Sequence, residues 1–166
     1  LPANERSAVS HYTGGGYDSI NSSLMSSAPS KEAVDAAKGL FKAAIELPPG
    51  KWVSRTFSTP GWSKGTETFA DLKKLEGMVV QDPAIMSTST RKDFWNKPIK
   101  LYIKIGPGVR GLSGDVGSGS NKGENEIMLP PNTTLAIHKV RMIGGTPYVF
   151  AYAMPTLANQ CCSQYK

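Results

Sequence analysis

Two glutamates one residue apart, Glu124 and Glu126, have the spacing in this chain that most favours chemistry. They follow a loop rich in glycine and serine and lead into an apolar run. Because successive side chains of a β-strand point to opposite faces, the two carboxylates would share one face while Ile127 and Leu129 pack on the other. Two like charges held together cost free energy, which is tolerated where a cation binds or a reaction needs an acid and a base. A charged edge strand that resists aggregation is the alternative interpretation.

Two other groups of residues carry useful chemistry. Arg55 supplies a planar guanidinium, which suits bidentate contact with phosphate oxygens. A run of hydroxyl side chains follows an apolar segment and comprises Ser87, Thr88 and Ser89. A hydroxyl can orient a carboxylate without neutralising it. Taken alone, a surface arginine and a polar strand end would explain both features.

In chain order, Arg55, the Ser-Thr-Ser run and the Glu-x-Glu pair resemble the R-S-E class of mono-ADP-ribosyltransferase toxins. Residues 11–24 are similar to the N-terminal Y-T…Y..I-N..L segment of that family. Residues 126–133 resemble its E-[IV]-L-L-P-P-G-T run and depart from it at Met128 and Asn132. Asn tolerates the turn conformations that Gly serves, and Met fills an apolar site as Leu does. The resemblance therefore spans nearly the whole chain.

The resemblance implies an α+β fold, with two facing antiparallel sheets, N-terminal helices and NAD held in the cleft between the sheets. The residue pattern agrees, because helical spacing dominates the first half and strand-like segments the second. Helical segments are predicted around residues 12–24, from a Ser30 cap to the Pro-Pro-Gly at 48–50, and from near Thr66 to Gly77. Strands are predicted at residues 78–80, 85–88, 99–105, 134–143 and 147–154, the last two as a hairpin around Gly144-Gly145.

By resemblance, Glu126 is the catalytic glutamate, which hydrogen-bonds the ribose 2'-hydroxyl and stabilises positive charge as nicotinamide leaves. The bond between nicotinamide and ribose breaks through an oxocarbenium-like state, as in glycoside hydrolysis, so a fixed carboxylate there lowers the barrier. Glu124 corresponds to the glutamate that contacts the acceptor and helps to remove its proton. A glutamate at that position is typical of members that modify arginine, whose guanidinium pairs with a carboxylate.

The resemblance also implies a set of NAD-binding residues. Arg55 corresponds to the arginine that binds the dinucleotide, and Ser87 to the serine that holds the catalytic glutamate by a hydrogen bond. Residues 112–123 occupy the place of the loop that recognises the protein target. The full set of expected cofactor-binding residues comprises Arg55, Ser87, Thr88, Ser89, Arg91, Phe94 and Trp95.

Composition describes one ordinary globular domain, residues 1–166, of which 39% are hydrophobic. No apolar run reaches the length of a membrane span. The net charge of +6 favours acidic partners, but Lys and Arg are scattered and no interleaved aromatic pattern indicates nucleic-acid binding. The adjacent Cys161 and Cys162 and the distant His11 and His138 form neither a metal-ligand cluster nor a nucleophile triad, so no metal is expected.

The sequence therefore predicts an enzyme that transfers ADP-ribose from NAD to a host protein, with an arginine-like acceptor and actin as the favoured target. We expect a monomeric, secreted bacterial effector that acts in the host cytosol, similar to effector domains of insecticidal toxin complexes. The chain begins at Leu1 without a leader, which suggests a piece of a longer protein. Three alternatives stay open: an NAD glycohydrolase, a glycoside hydrolase that uses the same glutamates, and a non-catalytic basic module that binds an acidic protein.

Overall fold

Helices precede most of the strands in the computed structural model, which describes residues 12, 16–42, 44–58, 68–91, 96–113 and 126–155. The helices are α1 (Tyr17–Leu24), α2 (Lys31–Phe41) and the short α3 (Phe69–Lys73). The strands are β1 (Ile45–Glu46), β2 (Trp52–Phe57), β3 (Val79–Asp82), β4 (Met86–Ser89), β5 (Ile99–Ile105), β6 (Arg110–Ser113), β7 (Glu126–Leu129), β8 (Thr133–Ile143) and β9 (Thr146–Met154). None of these helices is long and apolar enough to span a bilayer.

Helix α2 begins where the sequence predicts. The side chain of Ser30 accepts a hydrogen bond from the Ala33 N–H and so caps the first turn. The helix ends at Phe41, before the predicted Pro-Pro-Gly stop, because the Ala44 N–H bonds to the Phe41 carbonyl and the next two residues pair with β6 instead of continuing the helix. Helix α3 is capped by Thr68, and its predicted start near Thr66 lies outside the described residues.

The nine strands form one hydrogen-bonded network in the order β1-β6-β7-β4-β2-β5-β9-β8-β3. Its weakest link is between β2 and β4, which share a single pair, Ser54 with Ser89. This link divides the network into sheet I (β2, β5, β9, β8 and β3) and sheet II (β1, β6, β7 and β4). All pairs are antiparallel except β5 with β9, which run parallel.

One apolar core lies between the two sheets. Val53, Leu101 and Val149 of sheet I belong to the same buried cluster as Met86 and Leu129 of sheet II. The sheets therefore face each other, and the predicted α+β class is confirmed. The parallel β5–β9 pair departs from the predicted antiparallel pairing. A parallel pair is possible because the chain between β5 and β9 contains β6, β7 and β8. This connection is long enough to bring β9 back alongside β5 in the same direction.

The N-terminal helices cover the outer face of sheet II. Leu24 and Leu40 from the helices pack against Leu112 and Met128 of that sheet in a second buried cluster. The same cluster includes the ring of Tyr12. The helices thus lie on the face of sheet II that points away from the main core.

Two turns have the conformations that their residues favour. Asn132 has a φ of 63°, which is the left-handed region that Gly serves at the same place in the family motif. Gly144 and Gly145 have φ values of 57° and 79° and join β8 to β9 as the predicted hairpin. The prediction that Asn132 adopts the turn conformation of a glycine is therefore confirmed.

Two short strands at the edge of sheet II were not predicted. Strand β6 includes Leu112 and Ser113, which the sequence assigned to a loop. It pairs with β1 on one side and β7 on the other. Gly111 makes this packing possible, since a Cβ there would lie 2.8 Å from a Leu47 methyl carbon and 3.0 Å from the Met128 carbonyl oxygen.

We predict that Leu101→Ala lowers the free energy of unfolding by about 2–5 kcal/mol, because Leu101 is 0% exposed and its truncation leaves a cavity between the sheets. The control is Ile45→Ala on edge strand β1, where the side chain is 66% exposed and the change should stay within about 0.5 kcal/mol. Urea denaturation measures both values. Equal effects would contradict the position of the core.

Candidate active site

Strand β7 holds Glu126 on the face of sheet II that the helices cover. Glu126 is 4% exposed and lies directly opposite Ser89 on β4, while Ser87 lies opposite Met128. Side chains alternate along a strand, so Glu126 and both serines share one face, and Ile127 packs towards the main core as predicted. Directly opposite Cβ atoms are about 5 Å apart and diagonal ones about 7–8 Å. The register therefore brings Ser89 closer to the glutamate than Ser87.

Ser89 has a geometry that suits an orienting hydroxyl. Its Oγ accepts a hydrogen bond from the Arg91 N–H at 3.0 Å, which leaves the hydroxyl hydrogen to donate. Its partner across the junction, Ser54, donates through its own hydroxyl to the Arg91 carbonyl at 3.1 Å. These two hydrogen bonds fix the backbone of Arg91, the second residue after β4. Arg91 itself is exposed.

Thr88 lies on the opposite side of β4. It is fully buried, and its hydroxyl donates to the Ile127 carbonyl at 2.7 Å, which ties β4 to β7. The strand itself separates this side chain from the face of Glu126, and the place of Thr88 in the expected cofactor-binding set stays a prediction. Its contribution is to hold the two strands in register.

Arg55 bridges the two sheets where their ladder stops. It lies opposite Leu101 in sheet I, and its Nη1 donates to the Ser87 carbonyl at 2.9 Å. The guanidinium thus donates to a carbonyl that would accept a backbone N–H of β2 if the β2–β4 ladder were longer. Its charge also acts on Asp82: burial raises the pKa of Asp82, while the Ala84 N–H and the Arg55 guanidinium act in the opposite direction.

The ring of Tyr12 brings the arginine and the glutamate into one site. It is 2% exposed, and its hydroxyl accepts a hydrogen bond from the Asn21 amide at 3.0 Å. Burial raises the pKa of Tyr12, hydrogen bonds with Ser87 and Asn21 lower it, the Arg55 guanidinium lowers it further and the Glu126 carboxylate raises it. Both charges therefore act at a single phenol, which stays neutral at neutral pH.

Asn21 fixes helix α1 above this group. Its Oδ1 accepts from the Ile85 N–H at 3.0 Å, and its Nδ2 donates to the Ile85 carbonyl at 3.2 Å. The side-chain amide of Asn21 thus bonds to both backbone groups of Ile85, in the connection between β3 and β4, as a residue of a neighbouring strand would. Tyr12 and Asn21 were predicted only as positions in a helical segment. The one sequence feature that pointed to a role in the site was their match to the N-terminal pattern of the family.

Several predicted site residues lie outside the described residues. They are Glu124, Phe94 and Trp95, together with most of the expected target-recognition loop. The two cysteines, for which no site was predicted, also lie outside the described residues. Within the ranges that are described, no group of three or more His, Cys, Asp or Glu side chains could hold a metal ion. The site built so far therefore consists of Arg55, Ser87, Ser89 and Glu126, with Tyr12 added by the structure.

Comparison with known proteins gives one family match. Residues 52–150 match the family described as ADP-ribosyltransferase exoenzyme, a span that includes Arg55, the Ser-Thr-Ser run and Glu126. Curated protein sequences gave no match.

Solved structures share the fold at low sequence identity. Plx2a, an ADP-ribosyltransferase toxin from Paenibacillus larvae, is 21% identical with a TM-score of 0.70, over 93% of this chain and 87% of that one. Vis from Vibrio splendidus, in complex with agmatine, is 24% identical with a TM-score of 0.68, over 95% and 77%. C3stau2 from S. aureus, with NAD, is 17% identical with a TM-score of 0.73, over 94% and 89%.

We predict that Tyr12→Phe lowers the free energy of unfolding by about 1–2 kcal/mol, because half-buried groups of Asn21 and Ser87 lose a hydrogen-bond partner. Tyr17→Phe is the matched control, since that ring is 46% exposed and the change should stay within about 0.5 kcal/mol. Chemical denaturation at pH 7 gives both values.

The same pair of variants has a predicted pH dependence. The folded state raises the pKa of Tyr12 above its ordinary 10.0, so the hydroxyl stabilises the fold fully below pH 10. This advantage over Phe declines as the pH rises further through the folded-state pKa. A Tyr12→Phe effect equal to that of Tyr17→Phe at pH 7 would exclude the buried hydrogen-bond network.

Proposed function

Because the chain belongs to the ADP-ribosyltransferase exoenzyme family, we propose that it transfers ADP-ribose from NAD to a side chain of a host protein. NAD is the substrate that supplies the ADP-ribosyl group, as the family's reaction requires. The bond between nicotinamide and ribose breaks, and the ribose carbon bonds to the acceptor atom, whose proton is removed. Residues 1–166 act as one catalytic domain.

The observation that carries this proposal is that Arg55 and Glu126 meet at strand β4: the Arg55 Nη1 donates to the Ser87 carbonyl at 2.9 Å, and Glu126 lies opposite Ser89 on the same strand. NAD presents a diphosphate, which a guanidinium pairs with well, and a ribose that becomes positively charged as nicotinamide leaves. A guanidinium and a carboxylate close together therefore suit two groups of NAD: the diphosphate and the ribose that loses nicotinamide. Arg55 is half-buried and Glu126 is buried, so both charges act in surroundings of low polarity.

In this proposal Glu126 is the catalytic residue. A buried carboxylate on a paired strand is fixed before the substrate arrives, so stabilising positive charge requires no reorganisation. Ser89 and Ser87, on the same face, orient the carboxylate, and Tyr12 connects them to the helices. Arg91, Phe94 and Trp95, which follow the Ser-Thr-Ser run, complete the NAD-binding set.

An arginine is the acceptor that we favour. Glu124 precedes Glu126 by two residues and supplies the carboxylate that pairs with a guanidinium and accepts its proton. The complex of Vis with agmatine supports this choice, because agmatine carries the guanidinium of an arginine side chain.

We also favour actin as the target and the host cytosol as the place of action for this secreted effector. A monomer with net charge +6 is attracted to an acidic protein such as actin.

The experiment that tests this function supplies labelled NAD to the protein, first with an animal-cell lysate and then with purified actin. A discrete labelled band supports transfer to protein, and mass spectrometry of that band identifies the acceptor residue. Hydrolysis of NAD without any labelled protein would instead support a glycohydrolase. Absence of both reactions would contradict an NAD-dependent enzyme.

We predict that Glu126→Gln lowers both protein labelling and NAD hydrolysis by about 100-fold or more, because the amide keeps the shape but loses the charge. Glu126→Asp should also be inactive, since its shorter side chain withdraws the carboxylate from the ribose. Glu32→Gln, an exposed change on helix α2, is the control and should keep full activity. Retention of hydrolysis in Glu126→Gln would exclude the assigned role.

Glu124→Gln separates the two reactions. Loss of this carboxylate removes the group that pairs with the acceptor, so labelling of protein should fall by about 100-fold while hydrolysis of NAD continues. Initial rates of both reactions, measured on the same preparation, give the ratio. Equal loss of both would show that Glu124 does not act on the acceptor.

A further inference from the structure

The outer face of sheet I combines aromatic rings with lysines. On β5 and β9 the residues alternate, so that Leu101 and Val149 enter the core while Tyr102 and Phe150 point to the other side. We call this surface the basic aromatic face, and it consists of Trp52, Lys100, Tyr102, Lys104, Tyr148 and Phe150. None of the described helices packs on it, because α1 and α2 lie on sheet II and α3 joins the main core.

Contacts within the face hold its side chains in place. The ring of Tyr102 stacks on Tyr148 and on Phe150, each at 5.8 Å between centroids. The ammonium of Lys100 lies 5.5 Å from the Tyr148 ring, and that of Lys104 lies 5.9 Å from the Trp52 ring. Such cation–π contacts restrict the lysines, so less conformational entropy is lost when a partner binds them.

The charge of this surface has one sign. Strands β2, β5, β8 and β9 contain no Asp or Glu, and β8 adds Lys139 and Arg141 opposite Phe150 and Tyr148. Cations from two of the four strands, β5 and β8, thus surround the rings without an acidic neighbour on any of the four. Such a surface attracts an acidic partner and repels a basic one.

The chemistry of the face favours a protein over a nucleic acid. Bases bind to free ring faces, but here ring faces are already covered by a neighbouring ring or by an ammonium. Tyr, Trp and cations around an apolar centre are also the side chains that anchor protein interfaces. Trp52 is 46% exposed and supplies such an anchor.

The face leads directly to the candidate active site. Successive hydrogen-bonded pairs connect Phe150, Tyr102, Ser54, Ser89 and Glu126 in one row across five strands. Tyr102 and Glu126 are three strand spacings apart, or about 14 Å along the sheet. A protein bound to the face therefore lies beside the glutamate.

We propose that the basic aromatic face docks an acidic surface of the protein that receives ADP-ribose, which rests on the proposed function. Docking of this kind raises the rate at low acceptor concentration by guiding the encounter, and it leaves the reaction with water unchanged. The face thus determines which proteins are modified, and Glu126 determines whether any are.

The test compares two double variants with the same change of charge. Lys100→Glu with Lys104→Glu alters the face, and Lys38→Glu with Lys42→Glu alters exposed positions at the end of helix α2. Each takes the net charge from +6 to +2, because two charges of +1 become −1. We expect the face variant to label protein in a dilute animal-cell lysate at least about tenfold more slowly than the control variant. NAD hydrolysis without protein should be the same in both.

The outcomes separate this inference from the proposed function. If the wild type labels protein and the two variants label it equally, the face does not dock the acceptor, although the transferase function stands. If the wild type labels no protein, the proposed function fails and the inference fails with it. Lys100→Ala with Lys104→Ala, checked by thermal denaturation, shows the same loss to a smaller degree if docking rather than folding is affected.

Two further probes test other occupants of the face. A single-stranded RNA of about 20 nucleotides and phosphatidylserine vesicles are each titrated with the wild type and both variants. Equal, weak binding by the two variants supports a protein partner. Binding that the face variant alone loses, with protein labelling unchanged, would overturn the proposal in favour of nucleic acid or membrane.

Discussion

The structure depends on a single strand pair, Ser54 with Ser89, and on the arginine beside it. Because β2 and β4 share only this pair, the two sheets can face each other instead of continuing as one twisted layer. Arg55 replaces the next ladder bond by donating to the Ser87 carbonyl, so the polar backbone at the junction keeps a partner. The fold thus holds this guanidinium in place while leaving it half-buried, so Arg55 can have a structural role in addition to its proposed role in binding NAD.

The same junction explains why the proposed catalytic groups lie together. Strand β4 carries serines on the side of Glu126 and a buried threonine on the side of the core, so one short strand both binds its neighbour and lines the site. The N-terminal helices close that side through Asn21, whose amide pairs with the backbone of Ile85. The site is thus assembled from three parts of the chain, and each part is fixed by hydrogen bonds to the others.

Local signals predicted local structure well. The Ser30 cap, the alternating β5 and the glycine hairpin depend on residues close in sequence, and the structure has all three. The position of Tyr12 was not predictable in this way, because it depends on Asn21 reaching Ile85, 64 residues further along. The family resemblance supplied Arg55 and Glu126, but the choice between Ser87 and Ser89 needed the register of β4 with β7. Likewise, the sequence placed Lys100 and Lys104 on one side of β5, but it did not show that Lys139 joins them, because β8 comes near β5 only when both pair with β9.

The parallel β5–β9 pair has a consequence for how this domain is made. Strand β9 lies between β5 and β8 at the centre of sheet I, although it comes last in sequence among the described strands. Sheet I therefore cannot be completed until the chain has been synthesised as far as β9. Until then β5 presents an open edge to other chains, which favours aggregation, and contacts so distant in sequence slow folding. Withholding residues 146–154 would therefore keep the other strands of sheet I from closing into a complete sheet.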